Sequence, residues 1–133
     1  MVIIAAFFIT TFVLNTTTVP TVCLVSSGYE PQMEIPEDVL YHAFLSHVWN
    51  PGHGKTHAIV RKLQLHLPEV KIWLDVDDLE DIGAPEKSIT KCVIVIIFYS
   101  KDYFVTRDCQ RELYVAVEQK KPMIILHDDN ITM

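Results

Sequence analysis

Three stretches carry residues whose types and spacing could do chemistry: "WNPGHGKTHAIV" (49–60), "DVDDLEDIG" (75–83) and "SKDYFVTRDCQREL" (100–113). The first resembles half of a phosphate-binding loop. Gly54, Lys55 and Thr56 fit the G-K-[ST] end of G-x-x-x-x-G-K-[ST], but Trp49 stands where the first Gly must let the backbone close round the phosphates. A bulky side chain fills that space, so an ordinary strand-to-helix turn is expected, with Gly52 and Gly54 giving tight geometry and Thr56 near the helix start. The second stretch holds the carboxylates Asp75, Asp77, Asp78, Glu80 and Asp81. Leu79 occupies the third-ligand position of an EF-hand loop, which argues against calcium. A phosphoacceptor at Asp75 is one alternative, and a solvated acidic loop is the ordinary reading. The third stretch runs from an apolar strand into a helix whose first turns carry Cys109 and Glu112. By composition alone Glu112 is an exposed helix residue pairing with Arg111 or a neighbouring Lys.

These residues need a frame to position them. "VLYHAFLSHV" reads as a strand with Tyr41, Ala43 and Leu45 or their neighbours buried, and "HAIVRKLQLHL" as a helix with Ile59, Val60, Leu63 and Leu67 on one stripe, ended by Pro68. "VKIWLDV" (70–76) is a second strand, in which Trp73 is by default a core aromatic. "APEKSITK" can hold a single short helix. The β-branched run "CVIVIIFYS" (92–100) predicts a strand buried on both faces, "RDCQRELYVAVEQK" a helix with Cys109, Leu113 and Val115 to Val117 on its apolar side, and "PMIILHD" (122–128) a fourth strand. Alternating strands and helices with short connections mean an α/β parallel sheet with right-handed crossovers. Ligands then bind beyond the carboxyl ends of the strands, at Ser46 and His47, Asp75 to Asp81, Ser100 to Tyr103, and Asp128 with Asp129.

At 133 residues, half of them apolar, the chain suits one compact domain. Seventeen acidic against 11 basic residues, a net charge of −6, argue against a nucleic-acid surface, which needs clustered Lys and Arg. Cys23, Cys92 and Cys109 form an odd set without metal-ligand spacing, which fits a reducing, cytoplasmic setting and no metal site. Composition changes near residue 30. "VIIAAFFITTFVL" (2–14) is open to three readings: a tail, a membrane anchor or a signal segment. "SSGYEPQMEIPED" (26–38) is a polar linker, so residues 1–38 are expected to precede a domain at 39–133.

"SKDYFVTRDCQREL" is similar, without a gap, to the approximate S-K-N-Y-A-S-S-x-W-C-x-x-E-L segment of plant and bacterial TIR (Toll and interleukin receptor) domains. "YHAFLSHVW" resembles the family's first-strand box, "IWLDVDDLEDIG" its second strand and acidic loop, and "AVEQKKPMIIL" the helix end and fourth strand. The likeness spans about residues 39 to 129. It implies a flavodoxin-like parallel sheet with helices on both faces, of which this chain supplies four of five strands, leaving "MIIL" as an exposed apolar edge. It further implies association with other TIR domains, largely through Asp77, Asp78, Leu79, Glu80, Asp81 and Gly83, or hydrolysis of NAD⁺ as a substrate rather than a cofactor. In the hydrolases the C-x-x-E glutamate, here Glu112, is essential; Trp73 would stack on the nucleotide, and Ser46 and His47 would flank the cleft. Asp108 stands where the family commonly has Trp, Val105 and Thr106 where it has Ser, and Val48 where it often has a basic residue.

Overall fold

The computed structural model of the chain describes residues 20–49, 54–74 and 84–129. The elements run β1 (Tyr41–Ser46), α1 (Lys55–His66), β2 (Ile72–Trp73), α2 (Pro85–Thr90), β3 (Cys92–Tyr99), a 3-10 turn (Tyr103–Val105), α3 (Arg107–Glu118) and β4 (Met123–His127). All strand pairs are parallel, and the order across the sheet is β2-β1-β3-β4. Given that order, handedness fixes where the helices lie. The crossover through α1 steps from β1 to β2 in one direction, while those through α2 and α3 step the other way, so right-handed connections put α1 on one face and α2 with α3 on the opposite face.

The two faces are separate cores. Ala43, Leu45, Ile96 and Phe98 meet Ile59, Val60 and Leu63 of α1, while Phe44, Cys92, Val95 and Ile97 meet Ile89 of α2 and Cys109, Val115 and Ala116 of α3. β1 therefore differs from the one-sided strand expected. Ala43, Phe44, Leu45 and Ser46 are all buried, because helices cover both sides, and Tyr41 is only partly so. β3 is buried on both faces, as its β-branched run requires. Leu67 caps α1 rather than extending its stripe.

The turn into α1 needs no glycine at its last position. Gly54 is the N-cap with φ −70, and a Cβ there would meet nothing within 4 Å. Thr56 is the second residue of the helix, near its start as expected, and is buried there rather than serving as the cap. Gly52 lies outside the described residues.

β4 forms the free edge of the described sheet. Met123, Ile124 and Ile125 are exposed, Ile125 at 66%, and Tyr114 and Val117 of α3 are exposed as well. On the far side, the segment from Pro20 is tied to the domain. Val22 N–H donates to His66 O, His66 Nδ1 to Pro20 O, and His42 Nε2 to Met33 O while its Nδ1 accepts from Lys71 N–H. Among the described residues no helix is long and apolar enough to cross a membrane.

Candidate functional site

In this strand order the connections leave β1 and β3 in opposite directions, which makes their carboxyl ends the topological switch point of the sheet. Ser46 is the last residue of β1, in register with Ile97 of β3. Its side chain projects to the α3 face, two residues beyond Phe44. β3 ends at Tyr99, and the chain then turns sharply. Tyr103 N–H donates to Ser100 O, and Asp102 takes the left-handed conformation, φ 68, which Asp and Asn tolerate better than most residues. That turn drives Tyr103 into the core at 0% exposure and leaves Phe104 and Val105 exposed.

Glu112 reaches the same point from α3. Its position follows from helical period, since Cys109, Glu112 and Ala116 lie on one stripe and all three are buried against the sheet. Ser46 Oγ lies 2.5 Å from Glu112 Oε2 and 2.6 Å from Tyr103 OH. A carboxylate only accepts, so Ser46 donates its single proton to Glu112 and accepts from Tyr103. The short Ser–Glu separation is that of a charge-assisted O–H···O⁻ bond. Burial pushes the Tyr103 phenol well above the usual tyrosine range, opposed in part by the Ser46 hydrogen bond, so the phenol stays a donor.

The ordinary expectation for Glu112 is thus replaced. It is buried at 7% exposure, and Arg111 pairs across the surface with Glu86 of α2. Trp73 shares the α3 face with Ser46, one strand away: it is in register with Phe44, packs edge-on against Tyr41 with centroids 5.0 Å apart, and is half-buried. His47 follows β1, half-buried, with Nδ1 3.3 Å from Leu45 O. Lys55 at the start of α1 bridges to Asp128 after β4 at 2.9 Å. Asp75 and the loop residues Asp77, Asp78, Leu79, Glu80, Asp81 and Gly83 lie outside the described residues. Among the described residues no group of three or more His, Cys, Asp or Glu could hold a metal ion.

Of the residues expected at a site, Ser46 and Glu112 are brought into contact. Tyr103, the last of the Ser100 to Tyr103 stretch expected at the carboxyl end of β3, joins them through Ser46.

No family model matches the sequence, and no curated protein matches it. Among solved structures, the fold is similar to the TIR domain of the Toll-related receptor TRR-2 from Hydra magnipapillata, with a TM-score of 0.58 and 14% identity over 71% of this chain and 75% of that one. It is also similar to a metazoan TIR-STING receptor from C. gigas, with a TM-score of 0.53 and 15% identity over 74% of this chain and 34% of that one, so the chain spans about a third of that receptor's length. Similarity at this level of identity concerns the fold, and with the 2-1-3-4 parallel order and helices on both faces it establishes that this chain has a TIR-like fold.

Proposed function

We propose that this chain is a signalling domain that associates with other domains of its fold and hydrolyses NAD⁺ through Glu112. The observation that supports the hydrolytic part is the Ser46–Glu112 contact at the topological switch point, where open α/β sheets bind ligands. In the reaction the bond between the ribose anomeric carbon and the nicotinamide nitrogen breaks, and its electron pair leaves with the ring, neutralising the pyridinium charge. The leaving group needs no proton. Water adds to the oxocarbenium-like carbon and gives up a proton, yielding ADP-ribose. One carboxylate suffices to stabilise the developing positive charge and to hold ribose hydroxyls, as the stabilising carboxylate of a glycosidase does. Trp73 on the same face supplies an aromatic surface for the nucleotide, and His47 borders the switch point.

In a single chain Glu112 is almost wholly covered, so substrate entry requires movement of a neighbouring segment. Release of nicotinamide from NAD⁺ by the full chain, and its loss in Glu112→Ala, tests the reading.

A second reading is association without catalysis. It is favoured by the apolar residues Met123, Ile124 and Ile125 exposed on the edge strand.

A further inference from the structure

Glutamate has a long side chain, and a carboxylate that stabilises a transient cation must be held still at one position. We propose that Ser46 and Tyr103 are positioning residues for Glu112: the serine fixes the carboxylate to the end of β1, and the tyrosine fixes the direction of the serine proton. This inference rests on the hydrolytic reading of Glu112.

The geometry supports a directional chain rather than a mere cluster. Ser46 is 1% exposed and Tyr103 0%, so water does not compete for either hydroxyl. A serine hydroxyl has one proton and rotates to suit its neighbours. With Tyr103 OH donating at 2.6 Å, the proton of Ser46 is left only for Glu112 at 2.5 Å. Each of the three groups comes from a different element, the 3-10 turn, β1 and α3, so the hydrogen-bonded chain ties the carboxylate to the end of β1 and to the turn that follows β3. Tyr103 is in turn held by its fold. Its ring stacks edge-on against Phe104 with centroids 5.4 Å apart, and the left-handed Asp102 sets its entry into the core. Neither Ser46 nor Tyr103 needs to touch the substrate to act in this way.

The test is steady-state NAD⁺ hydrolysis by the full chain and by Tyr103→Phe, Ser46→Ala and Glu112→Gln, each checked for native circular dichroism. Tyr103→Phe removes one oxygen and keeps the ring, so it deletes the hydrogen bond to Ser46 while leaving the core packing in place. The expected result is a fall in kcat of about tenfold for Tyr103→Phe and more for Ser46→Ala, with KM changed less than about twofold, since losing a hydrogen bond to a charged group is worth roughly one to two decades. A purely structural role would lower the melting temperature and leave kcat per folded molecule unchanged, and that outcome overturns the inference while Glu112→Gln remains inactive. A rise in KM at constant kcat also overturns it. No release by the folded wild-type chain, or release that survives in Glu112→Gln, overturns the hydrolytic reading and this inference with it.

Discussion

Ser46 and Glu112 are 66 positions apart in the chain and 2.5 Å apart in the fold, joined by a buried hydrogen bond between the central strand β1 and the middle of α3. A carboxylate placed there has given up water and depends on the donors around it. Ser46→Ala is therefore expected to destabilise the chain by about 1–3 kcal/mol, the range for removing one partner from a buried polar group. In a Glu112→Gln background the same substitution is expected to cost less, because a neutral acceptor forms a weaker bond. Urea denaturation of the four species, read as a double-mutant cycle, measures the coupling; additivity would contradict a charged acceptor at Glu112.

Alkaline pH is expected to weaken the fold. Burial pushes the Cys92 thiol from an ordinary 9.0 up to about 12, and burial also raises Tyr103 above its ordinary 10.0. Below pH 9 both folded and unfolded chains keep these protons, so neither group contributes to pH dependence. Above it, the unfolded chain releases protons that the folded chain retains, and stability falls as pH rises towards 12. Thermal unfolding followed between pH 8 and 11 should show a declining midpoint, with a shallower decline in Cys92→Ala. A midpoint independent of pH would show that neither group is held protonated by burial.

Among the described residues two turns hold a non-glycine residue in the left-handed region. Lys120 follows α3 with φ 54, and Lys121 N–H donates to Ala116 O while Lys120 N–H donates to Val117 O, the Schellman pattern that usually has glycine at this position. Lys120→Gly is expected to stabilise the chain by about 0.5–1 kcal/mol, the relief of left-handed strain less the glycine's extra unfolded-state entropy. Asp102→Val, at φ 68, should cost about 1–2 kcal/mol, since a β-branched residue is disfavoured there. Melting temperatures moving in opposite directions for the two variants check both assignments.

The edge strand gives a prediction about assembly. Ile125 is 66% exposed on β4, beside the exposed Met123 and Ile124. Lysine on an edge strand opposes strand-to-strand pairing. Sedimentation velocity of the full chain is expected to show a coefficient rising with concentration, and Ile125→Lys to flatten it. A wild-type coefficient independent of concentration would contradict association through this edge.

How much of this was legible in the sequence depended on the kind of signal. β3 and β4 were readable because unbroken β-branched or apolar runs bounded by polar residues have few other solutions, and the parallel pairing, though not the order of the strands, followed from alternating strands and helices with short connections. The burial of β1 on both faces was not, because Tyr41, His42 and Ser46 give a mixed pattern that only the two helical layers resolve. β2 contracts to Ile72–Trp73, with Leu74 buried beyond it and the acidic loop outside the described residues. The burial of Glu112 was the least readable feature. A helical glutamate next to arginine is ordinarily solvated, and only the contact with Ser46 from a distant strand reverses that expectation. Tyr103 followed the same logic, since nothing local distinguishes it from the exposed Phe104 beside it except the left-handed turn at Asp102.

Nicotinamide release from NAD⁺ shows whether Glu112 is a working carboxylate. It should be measured with the full chain over a range of protein concentrations, beside a folded Glu112→Ala control. The expected result is release whose rate per chain rises with concentration and which is lost in the control. No release at any concentration from a wild-type sample shown to be folded, or equal release from the control, would contradict it.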